Sequence, residues 1–253
     1  MLVYSRLRNR LRQGSRHRSA AALVPAMAPL VLILAVGCAS YQPVLEQNTL
    51  APEVEVEQLD GFTLLDPPGS GHDTGLVFYP GGLVEPEAYL RAMSLVADAG
   101  HPVVIVHMPS NLAVFAPFKG AEFPELDTAA DRWAIAGHSL GGAMAARAVN
   151  QGEYPYAGLI LIAAFPAADD DLRETGYPVL SIYGNRDLVA TVEEIESSKE
   201  LLPESARFVE IKGGNHAQFG SYGDQSGDGE ASISREQQQR IAADAIIQFL
   251  QER

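Results

Sequence analysis

The chain reads as an α/β protein with a mostly parallel sheet and helices on both faces, and three observations predict this. Short, almost wholly apolar runs recur from residue 75 onward, as strands covered on both faces require. Segments of helical spacing lie between them, and such alternation is how a parallel sheet is connected. Glycine-rich or polar turns close several of these runs, at the strand ends where function collects in such sheets.

The N-terminal segment is set aside before fold reasoning. Residues 1–18 hold six arginines and no acid, and an apolar run from Ala20 to Val36 follows, broken by Pro25 and Pro29. The single cysteine, Cys38, comes directly after Leu34-Ala35-Val36-Gly37. A basic region, an apolar region and small residues at a cleavage point describe an export signal over residues 1–37. The small-residue-then-Cys ending resembles a lipobox, although Ala35 sits where Leu, Val or Ile is usual. Cys38 is therefore the candidate lipidation residue, and the protein is expected in the cell envelope, attached to the membrane only through its acylated N-terminus. Two readings compete: an uncleaved anchor, for which the run is short and carries two prolines, and an incidental cysteine beside an ordinary cleavage site.

Removing residues 1–37 takes away six arginines and no acid, leaving twelve basic against 32 acidic residues, a formal charge of about −20. That charge argues against nucleic-acid binding and against docking on anionic lipid through basic patches. With one cysteine in the chain, no internal disulfide forms.

The elements follow in order. Residues 38–52 form the lipidated N-terminus and a polar tether with Pro43 and Pro52. The domain is expected over residues 53–253. Glu53 to Gln58 alternate acidic with other residues as a half-exposed strand does, and Asp60-Gly61 turns into a second strand, Phe62–Leu65, stopped by Pro67-Pro68. Gly75–Tyr79 is the first buried run. Glu87 to Asp98 has helical spacing and stops at Gly100. Val103–Val106 is the second run, β-branched and too short for a helix. Trp133–Ala136, Gly158–Ile162 and Pro178–Tyr183 are the next three. Thr191–Leu201 is helical with acids at its start, Arg207–Ile211 is the last strand, and Ser234 with Gln237 opens the final helix as a capping-box pair.

Gly137-His138-Ser139-Leu140-Gly141 lies between the third run and a helix, the nucleophile-elbow pattern. The glycines are required because side chains there would meet the neighbouring strand or helix, and the turn presents the serine hydroxyl near a helix N-terminus. Asp187 follows the fifth run in Gly184-Asn185-Arg186-Asp187, and His216 follows the last in Gly213-Gly214-Asn215-His216. The chain order Ser…Asp…His is that of a triad on this architecture. Ser139 is the candidate nucleophile, His216 the base that takes its proton, and Asp187 the acid that holds the imidazole. The N–H of Leu140 is one oxyanion donor, and Gly82 or Leu83 supplies the second.

Other residues of the same types compete with these. His138 is expected to point away and pack. His101 and His107 flank the second run and read as structural, with His107 near the mouth of the site. Asp169-Asp170-Asp171 are the rival for the acid, read otherwise as a solvated turn. Asp224, Ser226, Asp228 and Gly229 match the opening of a calcium loop, but Arg235 stands where the bidentate Glu belongs. That stretch reads instead as an acidic loop on the pocket rim. Asn111–Phe118 is apolar in a loop position, either an acyl-binding wall or core packing.

On these residues the chain resembles the α/β-hydrolase superfamily over roughly residues 54–253. More narrowly it is similar to bacterial proteins related to dienelactone hydrolase and of the "α/β hydrolase family 5" type, in a lipoprotein branch. Tyr79–Tyr89, Trp133–Gly142 and Gly214–Gly220 carry that likeness. The resemblance implies the Ser139–Asp187–His216 triad and no metal or organic cofactor. Dienelactone hydrolase itself uses a cysteine nucleophile, so its lactone substrate is not carried over to Ser139. Only Pro166–Gly176 is available between the fourth and fifth runs, too little for a cap domain. The expected activity is hydrolysis of a small-molecule or lipid carboxylic ester, with thioesters and small amides as the wider class. The alternative is a non-catalytic binding protein on the same fold.

Overall fold

The computed structural model describes residues 40–253 apart from 48, 70, 124 and 125. The export segment and Cys38 lie outside the described residues. The described residues form eight strands and four α-helices: β1 (Glu55–Leu59), β2 (Phe62–Asp66), β3 (Thr74–Tyr79), α1 (Leu90–Asp98), β4 (Val103–Val106), β5 (Arg132–His138), α2 (Leu140–Gln151), β6 (Leu159–Ile162), β7 (Val179–Gly184), α3 (Val192–Ser198), β8 (Arg207–Ile211) and α4 (Arg235–Gln251). The strands form one sheet in the order β1-β2-β4-β3-β5-β6-β7-β8. The β1–β2 hairpin and the β2–β4 pair are antiparallel, and every other pairing is parallel. The sheet is thus the mostly parallel one expected.

Burial explains the order. β3, β4, β6 and β7 are buried along their whole length, and β5 is buried after Arg132. Alternate residues feed two cores. Phe78, Ile105, Ala136 and Ile160 pack with Met93, Val96, Ile246 and Phe249 of α1 and α4, whereas Val77, Val104, Ile135 and Leu161 pack with Met144, Ala145 and Ala148 of α2. Each fully buried aliphatic side chain contributes roughly 1.5–3 kcal/mol relative to exposure. The central strand β5 is therefore held firmly enough to carry a strained residue at its end, which costs about 1–3 kcal/mol.

Three expectations are refined. Residues 40–47, read as tether, lie on the domain: Tyr41 N–H donates to Leu83 O at 2.6 Å, Val44 N–H to Ser221 O at 2.8 Å, and the Tyr41 and Tyr222 rings are 5.3 Å apart. A polar segment docks here because its backbone finds partners and Tyr41 finds an aromatic neighbour. The helix expected from Glu87 begins as a 3-10 turn, Pro86–Tyr89, before α1. The full capping box is at Thr191–Glu194 of α3, while Ser234 of α4 accepts from Gln237 N–H alone. Residues 163–178, between β6 and β7, form no helix, so this connection carries no helical cap. Among the described residues no helix is long and apolar enough to cross a membrane.

Candidate active site

Ser139 follows β5 directly and adopts φ 53°, ψ −124°, a region that side-chain-bearing residues seldom occupy. Its N–H donates to Ile162 O at 3.0 Å, and its carbonyl accepts from Gly142 and Ala143, so strand β6 and the first turn of α2 impose the turn. A Cβ at Gly137 would collide with Gly141 backbone, and one at Gly141 with the Tyr79 and Pro80 carbonyls. The elbow closes only because both are glycine. Ser139 is half-buried, between the buried β5 and the surface.

His216 and Asp187 meet in the interior. Asp187 Oδ2 lies 2.8 Å from His216 Nδ1, and both side chains are buried. The other oxygen, Oδ1, accepts from the N–H groups of Val189 and Ala190, each at 2.8 Å. A carboxylate so surrounded is acceptor only, which assigns the proton to Nδ1 and leaves the lone pair on Nε2. That Nε2 is buried and has no hydrogen-bond partner among the described residues, Ser139 Oγ included. Nucleophile–base hydrogen bonds are often long without substrate. The acid and histidine loops are also knitted together: Asn185 N–H donates to Ile211 O and Arg186 N–H to Gly214 O, while Asn185 Oδ1 accepts from Gly213 N–H at 2.8 Å.

His138 packs, as expected, but close to the site: its ring centroid is 4.5 Å from that of His216. Its Nδ1 lies 2.8 Å from Tyr89 Oη, which accepts the Gly81 N–H at 3.0 Å and so has its proton free for His138. Burial, and then the neighbouring His216, hold the His138 pKa well below the usual histidine range. His138 is a neutral ring with its acceptor nitrogen occupied, so it cannot serve as the base.

The two oxyanion candidates near Gly81 separate. Leu83, at φ 59°, donates its N–H to Asn111 O at 2.7 Å and is not available for a substrate oxygen. The Gly82 N–H has no partner among the described residues, and the same holds for Leu140, the first residue of α2, whose N–H lies outside the helical ladder. A Cβ on Gly82 would be 3.1 Å from Leu140 Cδ2, so the two residues face one another across a short gap.

The rival acids are engaged elsewhere. Asp170 is fully buried against Arg147, at 3.1 Å, and accepts from Gln151 Nε2 at 2.7 Å, while Asp171 pairs with Arg173. His101 bonds Thr74 O through Nδ1, and His107 Nε2 lies 2.7 Å from Thr63 Oγ1. In the Asn111–Phe118 segment Ala113 is buried while Val114, Phe115 and Phe118 are exposed, so it is divided between core and surface. A cleft of about 660 Å³ is lined by Phe165, Pro166, Leu188 and Val189 together with residues of α3.

Sequence reasoning missed one pattern. The five described non-glycine residues with positive φ are Leu83, Ser110, Asn111, Ser139 and Ala163, and all stand at the carboxyl ends of β3, β4, β5 and β6. Local strain gathers where function does. None is a glycine, so nothing in the residue types signals it.

This sheet order, with a serine on a strained strand-to-helix turn and a buried Asp–His pair carried two and three strands away, after β7 and β8, defines an α/β hydrolase architecture. The chain belongs to the Alpha/beta hydrolase family, whose family model matches residues 75–240. No curated protein matches it. Among solved structures it is similar to dienelactone hydrolase from Anabaena variabilis (18% identity, 78% of this chain and 99% of that one, TM-score 0.57). It is likewise similar to a thermophilic esterase from Thermogutta terrifontis (17%, 81% and 98%, TM-score 0.53). A third is ferulic acid esterase from Streptomyces cinnamoneus (18%, 73% and 68%, TM-score 0.58). At these identities the likeness is one of fold.

Proposed function

We propose that this protein is a serine hydrolase acting on carboxylic esters, with thioesters and small amides as the wider class, through an acyl-enzyme. The observation that carries the reading is the buried 2.8 Å pair between His216 Nδ1 and Asp187 Oδ2, which leaves an unbonded lone pair on Nε2. Ser139 Oγ attacks the ester carbonyl carbon and its proton passes to His216 Nε2, while Asp187 stabilises the imidazolium. The tetrahedral oxygen takes its negative charge towards the free N–H groups of Leu140 and Gly82, an arrangement worth about 3–4 kcal/mol per donor in related chemistry. Collapse returns the proton to the leaving alkoxide, and water repeats the sequence to release the acid. The exposed apolar side chains of Leu188 and Val189, which directly follow Asp187 and line a cleft with Phe165 and Pro166, favour an apolar acyl or alcohol group. The esterase neighbours agree with ester chemistry. We further propose export, with acylation of Cys38 as the membrane attachment.

The missing Ser139–His216 hydrogen bond favours one competing reading, a binding protein that keeps the fold without turnover. One experiment decides between them. A fluorophosphonate probe is expected to label the wild-type protein and not Ser139→Ala, and hydrolysis across p-nitrophenyl esters of increasing chain length is expected to vanish with the label. Labelling that survives in Ser139→Ala would overturn the assignment.

A further inference from the structure

The acidic loop before α4 carries a residue that the triad alone does not explain. Asp228 sits between the loop bearing the acid and the loop bearing the base, and its two oxygens collect four backbone N–H groups. Oδ1 accepts from Gly229 at 2.7 Å, from His216 itself at 3.2 Å and from Leu188 at 3.5 Å. Oδ2 accepts from Ala217 at 2.8 Å. Leu188 follows Asp187 and Ala217 follows His216, so one carboxylate holds the backbone of both partners of the 2.8 Å pair.

The surrounding contacts keep that carboxylate in place. Gly229 O accepts from Asn215 Nδ2 at 2.8 Å, so the loop is bonded to the histidine segment a second time. A Cβ on Gly229 would run into the carbonyl oxygen of Arg186, so the chain passes there with no space to move. Buried Gln238 of α4 then fixes Asn215 from the other side, accepting its N–H at 3.0 Å and donating to its carbonyl at 2.6 Å. Hydrogen bonds from N–H groups to a carboxylate are among the stronger ones a protein makes.

We infer that Asp228 is a positioning residue for the proposed reaction: its carboxylate clamps the backbone of His216–Ala217 to that of Leu188 and so sets the Asp187–His216 hydrogen bond. Asp228, one of the residues that suggested a cation loop, serves instead as an acceptor for the protein's own N–H groups. This inference rests on the hydrolase reading of the site. A displacement of the base by about 1 Å can cost on the order of 10²-fold in rate without weakening substrate binding, and that is the effect the clamp prevents.

The test compares full-length wild type, Asp228→Ala, Asp228→Asn and the loop control Asp224→Ala in steady-state hydrolysis of a p-nitrophenyl ester. The downfield proton NMR resonance of the His216 Nδ1–H is read in parallel. Asp228→Ala is expected to lose about 10²-fold in kcat with KM unchanged, and the downfield resonance is expected to vanish or move upfield. Asp228→Asn keeps one acceptor oxygen and sets its amide against Ala217 N–H, so its kcat is expected to fall between the two, with Asp224→Ala at wild-type level. Should the alanine variant fail to fold, the asparagine variant decides by the same two readouts. A wild-type kcat and an unmoved resonance in either Asp228 variant, or a change in KM alone, would overturn the clamp. Absence of both fluorophosphonate labelling and hydrolysis in the wild type would instead remove the hydrolase reading, and the resonance would still report whether Asp228 sets the pair.

Discussion

Tyr89 Oη and His138 Nδ1 are 2.8 Å apart, and both side chains are buried beneath the elbow. Because the same phenol accepts the Gly81 N–H at 3.0 Å, it connects the glycine loop after β3 to the residue preceding Ser139. The loop that carries Gly82 and the strand that leads into Ser139 are therefore registered through one hydroxyl.

Tyr89→Phe removes that hydroxyl and leaves two buried polar groups, the Gly81 N–H and His138 Nδ1, without a partner. Each such group costs about 1–3 kcal/mol, so urea unfolding is expected to show a clear loss of stability. The rate of ester hydrolysis is expected to fall with it, because the Gly82 N–H is no longer held against Leu140. A variant as stable and as active as the wild type would show that the hydroxyl registers nothing.

Stability is expected to decrease on acidification. His138 is held well below its ordinary pKa by burial, and His101 and His107 are lowered by burial too. The unfolded chain takes up these protons near pH 6.5, whereas the folded chain resists them to lower pH. The stabilisation is thus complete above about pH 6.5 and is lost as pH falls towards the folded values, with a slope of at most about 1.4 kcal/mol per pH unit for each group. Unfolding free energies between neutral and mildly acidic pH measure this. The slope is expected to flatten in His138→Asn, and an equal slope in that variant would assign the effect elsewhere.

Asp187→Asn is expected to fold, because the amide oxygen can still accept from Val189 and Ala190. Its amide N–H groups would face His216 Nδ1, which then becomes the acceptor and moves the ring proton to Nε2, the position the base needs free. A loss of about 10⁴-fold in kcat is the expected scale for such a tautomer reversal. Steady-state kinetics with a thermal unfolding control check it; a small loss would mean that the Asp187–His216 hydrogen bond does not set the tautomer of the ring.

Cell fractionation tests the proposed attachment. Cys38→Ser is expected to move the protein from the membrane to the soluble fraction, since without the thiol no acyl chain can be added. Retention in the membrane would favour an uncleaved apolar segment as the anchor.

Much of the site is legible because chemistry and backbone constraint coincide in the same short stretches. Ser139, Asp187 and His216 each follow an apolar run within a few residues of a glycine, and a buried strand that must turn sharply needs one there. Asp228 is different. Its residue type and loop fit a cation site as well as an N–H clamp, and only the convergence of Leu188, His216 and Ala217 on it distinguishes the two. The same holds for Leu83, whose N–H reads as available until Asn111 is seen to accept it.

The sequence by itself determined the alternation of strands and helices, the strand ends at which Ser139, Asp187 and His216 stand, and their order along the chain. These are matters of periodicity and of local backbone sterics, which act over a few residues. Tertiary structure alone decided that Tyr41 docks on Leu83, that Tyr89 joins Gly81 to His138, and that among the described residues the Leu83 N–H has a partner and the Gly82 N–H has none. It also decided that Ser139 takes a strained conformation at the end of β5. Each of these depends on hydrogen-bond partners far apart in the chain, and a partner's direction and distance exist only once the sheet has set the strand ends side by side.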